Sequence, residues 1–213
     1  ISKKVIIANS MAMVADNIFN LPVEEISSGV AWLGIVAYSL QIYFDFSGYS
    51  DMAIGLAIMF GFKLPVNFFS PYKAKNIADF WRRWHITLSR MIREYLWDPV
   101  SLAMTRIAIR SKYGTFWFFV ATSLAPTLFT FFWIGLWHGA GWNFILFGIL
   151  HGSYITIYNF WSQLKQRLNY LKIITNQTIA NFLARFITFI CVGVGWVFFR
   201  AESLYGAKSI LSS

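Results

Sequence analysis

The sequence contains only three histidines, and each lies in surroundings that suit either proton transfer or helix packing. His85 ends the hexapeptide FWRRWH, whereas His138 and His151 each precede the second glycine of a Gly-x-x-x-Gly pattern. Imidazole is the side chain whose ordinary pKa lies closest to neutral pH, so it can take a proton from a hydroxyl and later release it. The three histidines are therefore the candidates for general acid–base chemistry.

His138 is the strongest catalytic candidate of the three. It ends an apolar segment just before Gly139-Ala140-Gly141, where water or a substrate could reach it. Glycines four residues apart let helix backbones approach closely, so its side chain is expected near a helix–helix contact rather than facing lipid. The alternative is a structural histidine that hydrogen-bonds to a neighbouring helix.

For His151 the structural interpretation is favoured. Tyr154 and Tyr158 share its helix face and could satisfy its hydrogen bonds. His138 and His151 would lie about 20 Å apart along one continuous helix. The two can belong to one site only if the chain folds back at residues 139–141.

Charged side chains inside or beside apolar segments form a second group of candidates. Arg82 and Arg83 could hold an anionic donor or carrier because guanidinium groups match phosphate, and anionic lipid headgroups explain them at least as well. Asp45 and Asp51 lie at or near membrane depth, where a carboxylate is costly and is usually functional or paired. Pairing with Lys or Arg is their structural alternative.

Other kinds of chemistry find less support in the sequence. Cys191 is the only cysteine and lies in an apolar segment, so an intramolecular disulfide is impossible and an inert thiol is expected. No Cys pair or His cluster has the spacing of a zinc site, so no structural metal is predicted. Neither a Ser-His-Asp arrangement nor a Gly-x-Ser-x-Gly elbow is visible, which favours direct transfer over a covalent enzyme intermediate.

The composition is that of an integral membrane protein. Of 213 residues, 57% are hydrophobic and 13% are charged, whereas soluble domains carry about 25% charged residues. The net charge of +9 would suggest nucleic acid as a partner of a soluble protein. Here the basic residues are interrupted by apolar positions and flanked by membrane segments, with no nucleic-acid recognition motif, so nucleic acid is not expected as a partner.

The apolar segments predict an all-α, multi-pass membrane fold. Residues 29–44 and 52–62 are expected to form two helices joined or kinked at Gly48, because together they exceed the roughly 20 residues of one span. Three further spans are predicted at 116–136, 142–161 and 179–199, and a partial helix at 9–18.

The basic residues predict the orientation of these spans. Ten of the 18 Lys and Arg residues lie between Lys63 and Lys112, and Lys165, Arg167 and Lys172 form a second basic loop. Cytoplasmic loops are enriched in such residues, and the order of the spans places both regions on one side.

An amphipathic helix is predicted over residues 79–97. On a helical wheel its apolar and aromatic residues share one face and its arginines share the other, with His85 at the edge of the apolar face. Such a helix lies in the membrane interface, here on the cytoplasmic side. Asp98-Pro99 is expected to end it.

Three stretches of the chain resemble the membrane-bound O-acyltransferase (MBOAT) family, and specifically its bacterial branch with the alginate O-acetyltransferase and the D-alanyl-lipoteichoic acid protein. They are QIYFDFSGYSDMAIGLAIMFGF at 41–62, NFFSPYKAKNIADFWRRWHITLSRMIREYL at 67–96, and GLWHGAGWNFILFGILHG at 135–152. The combination of FWRRWH with a hydrophobic WHG is far more specific than either motif alone.

The resemblance implies a fold and a reaction. The fold would be a polytopic helix bundle around a tunnel through the bacterial cytoplasmic (inner) membrane. The enzyme would transfer an acyl group, expected to be acetyl, from a cytoplasmic thioester, acetyl-CoA or an acyl-carrier protein, to a hydroxyl of an envelope or exported polysaccharide. No bound cofactor is implied, and periplasmic or membrane partner proteins are expected. The family's essential histidine matches His138, beside Trp137, and the FWRRWH histidine matches His85.

Some features leave alternatives open. After Tyr95 the branch continues with a Pro-Leu-Gly-Gly-like turn where this chain has LWDPVS, so the subgroup and the acceptor stay undetermined. A proton-coupled transporter or flippase, with Asp45, Asp51 and the histidines as a relay, is the main alternative, and a non-catalytic membrane subunit of an export complex is another. Because it opens at Ile1 and stops after a new polar stretch, the chain is expected to be one incomplete membrane domain, 1–213, of a longer protein.

Overall fold

The structure is a computed structural model that describes residues 1–167 and 176–213, and every regular element within these ranges is helical. Their α-helices, in chain order, are α1 (Asn9–Phe19), α2 (Ser28–Met59), α3 (Ile77–Arg83), α4 (Ile86–Ile92), α5 (Asp98–Arg110), α6 (Thr115–Phe119), α7 (Ala125–His138), α8 (Trp142–Arg167), α9 (Gln177–Arg200) and α10 (Leu204–Ser212). The wider π-helical turns of this part are Lys3–Ala8, Arg93–Trp97 and Val120–Leu124.

Three helical segments of the described part are long and apolar enough to cross a membrane, which confirms the all-α membrane class. They are Ser28–Met59, Thr115–His138 and Gln177–Arg200. The predicted spans 116–136 and 179–199 coincide with the second and third of these segments. The predicted span 142–161 is helical as part of α8, but α8 does not meet the same criterion of length and composition.

The predicted interruption at Gly48 is wrong, because α2 runs through it as one helix of 32 residues. Gly48 serves close packing instead. A Cβ on Gly48 would lie 3.2 Å from the Cβ of Lys3 and 3.4 Å from the backbone nitrogen of Lys4. The missing side chain therefore lets the N-terminal π turn approach α2.

The single amphipathic helix predicted over residues 79–97 is also wrong as a continuous element. The amide of Asp79 donates to the side chain of Asn76, which caps α3. Trp84 is extended, and His85 adopts the left-handed conformation with φ of 42° before α4 begins. Burial of the Trp84 ring against Phe80, with centroids 5.5 Å apart, and a hydrogen bond from the Ser89 hydroxyl to the Trp84 carbonyl stabilise the break. Tertiary packing thus outweighs local helix propensity.

Asp98-Pro99 does not end a helix, contrary to the prediction; it begins α5 directly after the π turn Arg93–Trp97. In a regular α-helix the proline ring would clash with the carbonyl four residues earlier. The wider π turn before Pro99 accommodates the ring. The end of α8 also carries Lys165, which was predicted to lie in a loop, whereas Lys172 lies outside the described residues.

The described residues fall into two compact units, one formed by 1–69 with 192–213 and the other by 70–191. The first unit has a core of small and branched apolar residues: Ile18, Ile26, Ala31, Ile35, Val197, Ala207 and Ile210. An ion pair of 2.6 Å between Arg200 and Asp16 joins the end of α9 to α1 at the margin of this core.

The second unit is organised around a hairpin of α7 and α8. A Cβ on Gly135 would overlap the main-chain carbonyl of Phe144, and a Cβ on Gly148 would overlap that of Phe131. The order of these contacts makes the two helices antiparallel. The Gly-x-x-x-Gly patterns therefore mark a helix–helix contact, as the sequence predicted.

Candidate functional site

The end of α7 carries the first candidate residue. His138 is the last residue of α7 and is half-buried, and residues 139–141 turn the chain back into α8. Trp137 is 64% exposed, with its ring centroid 4.8 Å from that of His138. The imidazole thus lies at the turn of the α7–α8 hairpin, with the exposed indole of Trp137 beside it.

His151 lies deeper in the same hairpin and is fully buried. Its Nδ1 accepts a hydrogen bond of 3.3 Å from the indole N–H of Trp81 in α3. His151 therefore has the cross-helix hydrogen bond that its structural interpretation requires. The donor is Trp81 of FWRRWH rather than Tyr154 or Tyr158. The Tyr154 ring approaches His151 edge-on, with centroids 5.9 Å apart.

The turn at 139–141 brings His138 and His151 to the same aromatic side chain. Phe147 lies between them, with its ring centroid 6.0 Å from that of His138 and 4.6 Å from that of His151. The sequence allowed the two histidines a common site only if the chain folds back here. The chain does fold back, and one phenyl ring separates the two imidazoles.

His85 also approaches this site from the break after α3. The imidazoles of His85 and His138 are close enough for their charges to interact, although the two residues are far apart in the sequence. Burial lowers the pKa of His85 below its ordinary value of 6.5, because a half-buried imidazole loses the solvation that favours its charged form. His85 is therefore neutral near pH 7 and can accept a hydrogen bond.

The two arginines of FWRRWH differ in their surroundings. The Nε of Arg83 lies 3.0 Å from the carboxylate of Asp79, one helical turn earlier, and only 28% of its side chain is exposed. Arg82 lies 3.8 Å from the same carboxylate and is 69% exposed. Arg82 is thus the more available of the two for an anionic ligand, whereas Arg83 is held to its own helix.

The two aspartates of α2 lie in the other unit and pair with the N-terminal π turn. Asp51 forms an ion pair of 2.6 Å with Lys3, and Asp45 forms an ion pair with Lys4. Gly48 lies between the two aspartates, where the backbone of the π turn approaches α2 closely. Asp45 and Asp51 are therefore paired with lysines, as the structural alternative in the sequence analysis required.

The sequence did not single out two residues that matter to this geometry, Trp81 and Phe147. Both lie inside stretches that carry the family resemblance, but their neighbours depend on how α3 meets the hairpin, which no local pattern specifies. Within residues 1–167 and 176–213, no group of three or more His, Cys, Asp or Glu side chains is arranged to hold a metal ion.

Comparison with known proteins gives consistent matches. The sequence model of the MBOAT, membrane-bound O-acyltransferase family, matches residues 6–198. The chain is 43% identical over 209 residues to a peptidoglycan O-acetyltransferase of Helicobacter pylori, covering 98% of this chain and 36% of that protein. It is 43% identical over 202 residues to a probable alginate O-acetylase of Azotobacter vinelandii, covering 95% and 36%.

A more distant relative is a teichoic acid D-alanyltransferase of Bacillus subtilis, which is 32% identical over 174 residues, covering 81% of this chain and 42% of that protein. The chain thus spans about a third of the length of the first two relatives and somewhat more of the third. The matched stretch includes both FWRRWH and WHG.

Proposed function

We propose that this chain, which belongs to the membrane-bound O-acyltransferase family, is part of an enzyme that transfers an acyl group from a thioester to a hydroxyl. The observation that carries the proposal is the approach of two half-buried histidines, His85 and His138, at the end of the α7–α8 hairpin. The sequence shows neither a Ser-His-Asp arrangement nor a Gly-x-Ser-x-Gly elbow, so the reaction we propose is a direct transfer.

In this reaction His138 acts as the general base. Its imidazole takes the proton of the acceptor hydroxyl as the oxygen attacks the thioester carbonyl carbon. The new C–O bond forms, the C–S bond breaks, and the proton held by His138 neutralises the departing thiolate. His85, on the donor side, hydrogen-bonds to the donor as a neutral imidazole.

The donor end of the site is proposed at FWRRWH. Arg82 extends from α3 and offers a guanidinium to the phosphate of a carrier, which both acetyl-CoA and an acyl-carrier protein contain. Trp137 is exposed beside His138 and offers an aromatic surface to either substrate. Asp45 and Asp51 are assigned no role in binding, because the π turn already supplies each with a lysine.

The acyl group is proposed to be acetyl and the acceptor a polysaccharide hydroxyl. The names of the two relatives at 43% identity specify O-acetyl transfer, to peptidoglycan in one and to alginate in the other. The relative at 32% identity is named for D-alanyl transfer to teichoic acid. We further propose the bacterial inner membrane as the location, with a cytoplasmic donor, an acceptor outside, and periplasmic or membrane partner proteins.

The transport alternative is not favoured by any contact in the described part of the chain. It requires Asp45 and Asp51 as members of a proton relay. Both carboxylates instead form ion pairs with lysines of the adjacent segment.

The test is the substitution His138→Gln in the full-length protein. Gln keeps the size and hydrogen-bonding capacity of the side chain but cannot take a proton near pH 7. We expect transfer to fall by about 10²–10⁴-fold, the usual worth of general-base catalysis. The readout is O-acylation of envelope polysaccharide, measured by mass spectrometry, together with the amount of protein in the membrane.

The matched control is Trp142→Phe, a change on the other side of the same turn at a side chain that is 70% exposed. This variant should insert normally and keep acylation near the wild-type level. Near-normal acylation by His138→Gln would make His138 a structural residue and would refute the mechanism.

A further inference from the structure

Trp81 makes its cross-helix contacts with the α7–α8 hairpin. Its ring centroid lies 5.2 Å from Phe131 of α7, 6.4 Å from Phe147 of α8 and 5.2 Å from His151 of α8, each nearly edge to face. Its indole N–H adds the hydrogen bond to Nδ1 of His151. One side chain of α3 is therefore held by both arms of the hairpin.

The hydrogen bond also determines the state of the buried imidazole. A ring nitrogen that accepts a hydrogen bond carries no proton, so His151 is neutral and its proton is on Nε2. An imidazolium would present two donors and could not accept from Trp81. The contact therefore holds only one tautomer and one ring orientation of His151.

From His151 the contact continues to the first candidate base. The ring of Phe147 packs against His151 on one side and His138 on the other. A change in the position of His151 can therefore reach His138 through Phe147, which contacts both imidazoles.

In the other direction the contact continues to the second candidate. His85 follows Trp81 by four residues, and the helical part of α3 ends between them at Arg83. Trp84 is extended and His85 is left-handed, so no regular helix connects α3 to the residues that follow. The distance from α3 to α7 must therefore be determined by other contacts. The position of His85 relative to His138 depends on where α3 docks, and Trp81 is a side chain of α3 that contacts α8 directly.

We propose that the hydrogen-bonded pair Trp81–His151 is a positioning bracket that holds His85 and His138 at the separation the transfer reaction needs. Neither residue touches substrate; each acts through a neighbour, Trp81 through α3 and His151 through Phe147. The proposal rests on the proposed function for its kinetic consequence, but the bracket itself is a geometric relation that can be measured without activity.

Three substitutions in the full-length protein test the bracket. Trp81→Phe keeps an aromatic ring and removes the donor, and His151→Leu keeps apolar volume and removes the acceptor. In His151→Asn the side-chain oxygen takes the place of Nδ1 and can accept from Trp81. Buried Trp196, which belongs to the other unit, provides the control Trp196→Phe for replacing a buried indole by a phenyl ring away from the hairpin.

We expect Trp81→Phe and His151→Leu to lower kcat roughly 10- to 100-fold, the effect of misplacing a reacting group by about 1 Å. KM for the donor should change less than kcat, because Arg82 and His85 both follow the position of α3 and keep their arrangement relative to each other. His151→Asn should recover most of the lost kcat. If the two residues had only a structural role, the amount of folded enzyme would fall. The kcat of the enzyme that does fold would not fall selectively, and His151→Asn would not restore it.

The bracket is refuted if Trp81→Phe behaves like Trp196→Phe, or if His151→Asn is as slow as His151→Leu. Should His151→Leu fail to fold, Trp81→Phe against Trp196→Phe decides the matter alone.

A second measurement separates this proposal from the proposed function. Diethyl pyrocarbonate modifies accessible imidazoles, and mass spectrometry gives its rate at His138 whether or not the protein transfers acyl groups. The rate should rise in Trp81→Phe and His151→Leu and stay at the wild-type level in His151→Asn. Unchanged labelling in all three variants would overturn the bracket, whereas acyl transfer that is insensitive to His138→Gln would overturn only the function.

Discussion

Gly148 of α8 lies directly against the main-chain carbonyl of Phe131 in α7, so closely that a Cβ would overlap the carbonyl oxygen. The carbonyl belongs to a helix backbone and cannot move without displacing its own turn. This contact and that of Gly135 with Phe144 determine the spacing of the hairpin on which His138 and His151 lie. The distance between His138 of α7 and Phe147 of α8 depends on this spacing.

Gly148→Ala should therefore separate α7 from α8 and destabilise the full-length protein by roughly 1–3 kcal/mol, as overpacking of a close contact does. Thermal unfolding in detergent measures the effect. The control is Gly55→Ala in α2, where nothing lies within 4 Å of the added methyl group, so a gain of about 0.5–1 kcal/mol is expected from helix propensity. Equal stability of the two variants would contradict the packing described here.

The left-handed conformation of His85 governs the choice of substitution at this position. Asn tolerates such a backbone, whereas most other side chains are strained there. His85→Asn should therefore preserve the break after α3 and remove only the imidazole. We expect weaker use of the donor, seen as an increased KM for the thioester, with the acceptor KM unchanged; His85→Ala should show the same loss with added backbone strain.

Lys112→Asn is the matched control for this prediction, because Lys112 also has a positive φ, 51°, at the end of α5. Its donor kinetics should be those of the wild type. If His85→Asn leaves the kinetics of both substrates unchanged, His85 has no role on the donor side.

The ion pair of Lys4 with Asp45 should respond to reversal of its charges. Asp45→Lys places two ammonium groups together and should lower the unfolding temperature, although by a modest amount because both side chains are nearly half exposed. The double variant Lys4→Asp/Asp45→Lys should regain both stability and acyl transfer. A double variant that is stable but inactive would instead assign Asp45 to substrate binding.

The orientation predicted from basic residues can be tested with single cysteines at Lys73 and Lys165 in a background of Cys191→Ala. Lys73 follows Pro71 in a short turn, and Lys165 lies near the end of α8 with its ammonium 5.5 Å from the ring centroid of Trp161. Both cysteines should react with membrane-impermeant maleimides only after the cytoplasmic side is opened. If either cysteine is labelled from outside in intact cells, the predicted orientation is wrong.

Much of the fold was predictable because apolar length and glycine spacing are local properties. The spans at 116–136 and 179–199, and the close approach at the Gly-x-x-x-Gly patterns, follow from such properties. The cross-helix hydrogen bond of His151 was expected in kind, but its donor was not, since Trp81 is distant in the chain.

The wrong predictions share a physical cause. They concern the break at His85, the continuous helix through Gly48 and the helix start at Pro99. Each depends on packing contacts or on a π turn, which a helical wheel does not represent. A glycine within an apolar helix is compatible with either a kink or a close packing contact, and at Gly48 it serves a close contact. At His85 the buried Trp84 ring outweighs a regular amphipathic pattern.

The π turns Arg93–Trp97 and Val120–Leu124 have a consequence for how homologous chains should be aligned. Each ends directly before a helix whose second residue is a proline, Pro99 in α5 and Pro126 in α7. A π turn contains one residue more than an α turn, so the helix beyond it is rotated by about 100°. Relatives that lack either proline are expected to be one residue shorter at that point, so the gap belongs inside a continuous helical segment rather than in the nearest loop. An alignment that moves this gap into a loop would assign the wrong face of α7 to every residue as far as His138.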